Sequence, residues 1–87
     1  MAKKVQMMIL KSCPHCIRAF EMMEELKEKN EAYKEVEFEV IEEDVFPEIA
    51  DALDYYYVPT YFVDGEKIHE GVPTQEKVEA VFKAALS

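Results

Sequence analysis

Residues 5–10, Val-Gln-Met-Met-Ile-Leu, are apolar at every position but one and are bounded by Lys4 and Lys11. A strand hydrophobic on both of its alternating faces must be covered on both, as a strand inside an α/β sheet is. The period then changes. From Pro14 to Lys29, Cys16, Phe20, Met23 and Leu26 recur at helical spacing with Ile17 and Ala19 beside them, while Arg18, Glu21, Glu24, Glu25 and Glu28 form a polar outer face. Asn30 is the stop signal. Val36 to Ile41 alternates and closes apolar, which predicts a second strand. Two strands joined through a helix predict a parallel βαβ unit with a right-handed crossover.

The rest of the chain carries local signals of the same kind. Asp44 is expected to cap a short helix in which Val45, Ile49 and Leu53 line up, with Pro47 in its first turn. Thr60 to Val63 reads as a third strand and Glu66 to His69 as a fourth. Asp64-Gly65 joins them as a two-residue hairpin turn, since both positions tolerate φ > 0. Thr74 caps a last helix whose Val78, Val81, Phe82 and Ala85 form one stripe. The predicted order is β-α-β-α-β-β-α in a single domain over residues 1–87.

Charge narrows the function. The chain has 19 acidic and 10 basic side chains, a net charge of −9, which argues against phosphate-backbone binding and so against a nucleic-acid partner. Residues 1–20 hold Lys3, Lys4, Lys11 and Arg18 and no acid. That is either an electropositive patch near a site or scatter near a terminus. No stretch approaches the roughly 20 apolar residues of a membrane span and none resembles a signal peptide, so the expectation is a cytoplasmic protein with no membrane partner. Two cysteines are too few for a disulfide-stapled mini-protein.

Those two cysteines carry the sharpest signal: Cys13-Pro14-His15-Cys16, where a strand ends and a helix begins. Two thiols separated by two residues at a helix start can close a small disulfide ring. The free N–H groups and positive dipole end favour a thiolate at Cys13. Pro14 suits the first helical position, because its missing N–H would be unpaired there anyway. A protonated His15 imidazole beside the sulfur would stabilise the thiolate further. Cys16 lies within the helix, so Cys13 is expected to attack and Cys16 to resolve. An inert buried pair is one alternative. A zinc site is another, but it needs four ligands, and Cys13, Cys16, His15 and His69 are all the chain offers beyond carboxylates.

Cys13-Pro14-His15-Cys16 after a short strand, then Val58-Pro59-Thr60, a hairpin and a final helix, resembles the thioredoxin/glutaredoxin superfamily along essentially the whole chain. It is most similar to the small glutaredoxin-like thioredoxins of archaea and bacteria. Cys16-Ile17-Arg18-Ala19 is glutaredoxin-like; Val58-Pro59-Thr60 through Asp64-Gly65 to Gly71-Val72-Pro73-Thr74 is thioredoxin-like. The resemblance implies an α/β thioredoxin fold, a four-stranded mixed sheet flanked by three helices. It also implies a cis Pro59 beside the sulfurs, and Val58, Pro59 and Thr60 as the substrate-binding segment. The activity implied is thiol–disulfide exchange on disulfide-containing proteins, with no bound cofactor, no metal, and a thioredoxin reductase or glutathione as external electron donor to a monomer.

The sequence also departs from both patterns. Met7 stands where thioredoxins carry a buried acid, and Lys11-Ser12 replaces the residue pair containing their tryptophan. Val72-Pro73-Thr74 follows Gly71 where glutaredoxins place a second glycine and acids that hold glutathione. Lys11 is left as the candidate for a glutathione carboxylate. Tyr55, Tyr56 and Tyr57 either line a substrate groove or divide between core and solvent, His69 is expected to be a plain hairpin residue, and the methionines are expected to fill core. A redox-inert or redox-sensing binding module, and a disulfide oxidase or isomerase, are the competing functions.

Overall fold

The computed structural model describes residues 2–87. Its elements are β1 (Val5–Ile9), α1 (Pro14–Lys29), a 3-10 turn (Glu31–Glu35), β2 (Phe38–Glu42), α2 (Pro47–Ala52), β3 (Thr60–Val63), β4 (Glu66–Glu70) and α3 (Gln75–Leu86). The sheet order is β2-β1-β3-β4. Strand β1 pairs in parallel with β2, Met7 opposite Val40, and antiparallel with β3, Met7 opposite Tyr61. Strand β4 closes the sheet antiparallel to β3. The near-continuous apolar segment is therefore one of the two inner strands.

Alternation assigns its side chains to two cores. Val5, Met7 and Ile9 join Tyr61, Val63 and the inner faces of α1 and α3. Met8 faces the other way, with Ile41 and Phe62, under Ile49, Ala50 and Leu53 of the α2 region. Tyr33 stacks on Phe82 with ring centroids 4.8 Å apart, and Phe38 meets Phe82 edge-on at 5.2 Å. The larger core is thus closed by an aromatic cluster at the end of the sheet away from the cysteines.

The hairpin and the last helix form as their local signals predict. Asp64 and Gly65 both take positive φ, 48° and 83°, and the Thr74 hydroxyl accepts the Lys77 N–H at 3.2 Å. Elsewhere the expected boundaries move. Strand β2 starts at Phe38, not Val36, because the Asn30 side chain accepts the Ala32 N–H and turns the exit of α1 into the 3-10 turn. Val36 is buried all the same. Asp44 caps nothing. The Glu42 carbonyl accepts the N–H groups of both Val45 and Phe46, forming a turn, and α2 begins at Pro47, whose fixed φ suits a first helical residue. Val45 is left exposed, while Ile49 and Leu53 pack as expected. Ile17, placed beside the buried stripe of α1, is also exposed; Met22 is buried instead.

Candidate active site

The chain leaves β1 through Leu10–Ser12 and enters α1 at Cys13, whose N–H donates to the Leu10 carbonyl at 3.1 Å. Cys13 is the residue before the helix, with extended backbone (φ −78°, ψ 120°), and Pro14 follows in the first turn. The Cys13 carbonyl accepts the N–H groups of Cys16 and Ile17, which starts the helix at this residue and sets its sulfur beside the N–H groups of the first turn. That turn contains no acid, in a chain of net charge −9, while Lys27 and Lys29 occupy the last turn. Nothing on the helix opposes a thiolate at its start. Both cysteines are free thiols, Cys13 partly exposed and Cys16 buried.

The two sulfurs differ chemically as well as sterically. The Cys13 thiol is lowered from the ordinary value of 9.0, first by the Cys16 N–H and then by the His15 N–H and the Cys16 thiol, against a smaller opposing effect of burial. No side-chain hydrogen bond caps the helix at Cys13, and the N–H groups near the sulfur favour its charged form. Cys16 is pushed up to about 11, chiefly by burial, with the Cys13 thiolate and the Glu43 carboxylate adding to it. One thiol is primed and one is held in reserve. His15 acts on the sulfur through its main-chain N–H; its imidazole is not among the groups that shift Cys13.

Across from the helix start, the Val58-Pro59 peptide bond is cis, as the resemblance implied. His15, Tyr57, Val58, Gly71 and Val72 line a cleft of about 330 Å³ with mainly apolar walls. Larger hollows of about 610 Å³ and 680 Å³ lie by Lys4 and Phe38, and between α1 and α3. No thiol lines any of the three; the smaller cleft is set apart by His15, two residues from Cys13, and by Val58, the residue before the cis proline. Thr60 is fully buried, and its hydroxyl donates to the carbonyl of Tyr57, which lines the cleft. Lys11 is exposed in the turn before Cys13.

The tyrosines divide their work. Tyr55 packs on the smaller core and donates to Glu43 Oε2 at 2.5 Å, Tyr56 projects into solvent, and Tyr57 lines the cleft. His69 is not a plain hairpin residue: it is buried, with Nε2 3.0 Å from the Gly71 carbonyl, and burial lowers it from its ordinary value. Met7 is fully buried, so the floor near Cys16 is apolar where an acid was absent from the sequence. Tyr61, also buried, donates to Met23 Sδ at 3.2 Å.

Sequence reasoning missed Glu70. Its carboxylate accepts the N–H of Tyr56 and, at 2.9 Å, that of Tyr57, and pairs with Lys67 Nζ at 2.8 Å. Those three donors hold it down at about 2. Among 19 acids nothing marked it out.

A family model for the thioredoxin domain matches residues 2–83. The chain belongs to the thioredoxin domain family. Among solved structures, one described as that of a malarial protein is 15% identical, covers 100% of both chains and superposes with a TM-score of 0.71. At that identity the likeness shows the fold of this thioredoxin-domain protein and nothing finer. No curated protein matches it. Among the described residues of the domain, no helix is long and apolar enough to cross a membrane.

Proposed function

We propose that this thioredoxin-domain protein is a thiol–disulfide oxidoreductase that reduces protein disulfides through a Cys13/Cys16 dithiol–disulfide cycle. The observation that carries the reading is the asymmetry of the pair: Cys13 is partly exposed and lowered, Cys16 is buried and raised to about 11. An attacking thiol needs access and thiolate character; a resolving thiol must stay protonated until its target exists.

The Cys13 thiolate attacks one sulfur of a substrate disulfide, and the other sulfur leaves as a thiolate that takes up a proton. The S–S bond now joins Cys13 to the substrate. Cys13 has lost its negative charge, so two of the causes that raise Cys16 disappear, the hydrogen bond to the thiolate and its repulsion. Cys16 then gives up its proton and attacks the Cys13 sulfur. The substrate leaves with its second thiol, and Cys13–Cys16 remains as a disulfide. Two electrons and two protons have moved to the substrate. The redox group is the cysteine pair itself.

The apolar cleft lined by His15 and Val58 suits an extended segment of the substrate, and Val58 leads into the cis Pro59. A thioredoxin reductase or glutathione restores the dithiol, with Lys11, exposed in the turn before Cys13, as the candidate to meet a glutathione carboxylate. The protein acts as a monomer in the cytoplasm. Reduction of insulin by dithiothreitol, followed with and without the protein, tests the activity. Acceleration that disappears in Cys13→Ser is the expected result; no acceleration would favour a binding module. NADPH consumption coupled either to a thioredoxin reductase or to glutathione and its reductase identifies the donor.

A further inference from the structure

In a regular strand, residues three apart point to opposite faces of the sheet. Lys67 and Glu70 of β4 do not. Lys67 pairs with Phe62 and Glu70 with Thr60, and Phe62 and Thr60 lie two apart on β3 and so share a face. A register shift opposite Tyr61/Phe62 makes this possible, with Ile68 as the extra residue on β4. The shared face is the one on which Phe62 packs against Tyr55 and Val58.

The segment Asp54–Val58 that crosses this face has no helix or strand of its own. Its main-chain N–H groups therefore need partners from elsewhere. Glu70 Oε2 accepts from Tyr56 and Tyr57, Glu70 Oε1 accepts from Lys67 Nζ at 2.8 Å, and the same ammonium donates to the Asp54 carbonyl at 3.2 Å. The Tyr57 carbonyl accepts from Thr60, and the Pro59 carbonyl accepts the Gly71 N–H at 3.0 Å. The end of β4 thus holds both edges of the segment that supplies Tyr57 and Val58 to the cleft.

We propose that Glu70, re-aimed by the bulge at Ile68 and braced by Lys67, is the positioning residue that keeps the Tyr56–Val58 wall of the cleft in its substrate-binding shape. A single carboxylate serves two N–H groups and an ammonium at once, which neither an amide nor a hydroxyl can do. A wall set by one side chain makes binding sensitive to that side chain while leaving the sulfurs, held at the start of α1, untouched. The proposal rests on the disulfide-reductase reading above, and its test separates the two.

The experiment measures KM and kcat for insulin in dithiothreitol-driven reduction, the alkylation rate of Cys13 by iodoacetamide, and the hydrogen exchange of the Tyr56 and Tyr57 amides. In Glu70→Ala, KM should rise about tenfold with kcat changed less than about twofold. Alkylation should keep its rate and pH midpoint, and both amides should lose protection. Glu70→Gln, which keeps one carbonyl oxygen, should recover most of the KM and at least one protected amide. Lys67→Met should give a smaller rise. An unchanged KM in Glu70→Ala, or an alkylation rate that falls along with the KM effect, overturns the proposal. Should the wild-type protein reduce no insulin, the reductase reading fails and exchange alone decides. Protection lost in Glu70→Ala and kept in Glu70→Gln upholds the clamp; fast exchange of both amides in the wild type overturns it.

Discussion

Cys13 and Cys16 are the same chemical group three positions apart, and their surroundings make them different reagents. Iodoacetamide should alkylate Cys13 with a midpoint below its ordinary 9.0 and leave Cys16 unreactive until the pH nears about 11. Mass mapping of the labelled peptides across a pH series checks this, and equal rates for the two thiols would contradict it. The sequence suggested two influences on Cys13, the N–H groups of the helix start and the imidazole of His15; the main-chain N–H groups of Cys16 and His15 lower the thiol, and the imidazole is not among the groups that shift it. Replacing the side chain leaves those N–H groups in place. His15→Val should therefore keep a lowered Cys13 in a thiolate absorbance titration and alter the cleft, which His15 lines, instead. A Cys13 returned to the ordinary range in that variant would show that the ring, not the backbone, does the tuning.

Elements with a strong internal period were legible in the sequence; elements set by a single hydrogen bond were not. Strand β1, helix α1, the Asp64-Gly65 turn and α3 with its Thr74 cap all carry their signals locally, in apolar spacing or turn chemistry. The start of β2 depends on where the Asn30 side chain finds a donor, and the start of α2 on two N–H groups sharing the Glu42 carbonyl. Asn30 and Pro47 mark where each boundary falls, but residue type does not say which donor or acceptor closes the turn beside it. The bulge in β4 hid the Lys67–Glu70 pair in the same way, since a spacing of three in a regular strand argues against contact. Within the site, the cysteines and Pro59 were visible because their chemistry is rare, while Glu70 and Glu43 were lost among many acids. Packing of α3 offers a direct test of the larger core. Phe82 is fully buried between Tyr33 and Phe38. Phe82→Ala should lower unfolding stability by about 3–5 kcal/mol in urea titration. A loss under about 1 kcal/mol would mean that the cluster re-closes around the gap.

Across the whole molecule, chemistry is gathered at one end of the sheet. The Cys13 turn, the Val58-Pro59 segment and the Gly71 loop meet there, and the aromatic cluster closes the opposite end. One buried titratable group links this end to global stability. His69 supports Gly71 through Nε2, and burial, with Lys77 adding to it, lowers the ring from its ordinary 6.5. Between that lowered value and 6.5, the unfolded chain binds a proton that the folded one refuses. Stability is therefore lost as the pH falls through this window. Urea midpoints at about pH 7 and about pH 5 should fall further for the wild type than for His69→Gln, and an equal fall in both would remove His69 from the acid response. The central claim is that Cys13 attacks substrate disulfides and Cys16 releases the product. Its most direct test is to mix Cys16→Ser with insulin and analyse the products by non-reducing mass spectrometry. The account predicts a stable mixed disulfide through Cys13 that is absent when Cys13→Ser is used instead; no adduct, or an adduct formed through Cys16 in the Cys13→Ser protein, would contradict it.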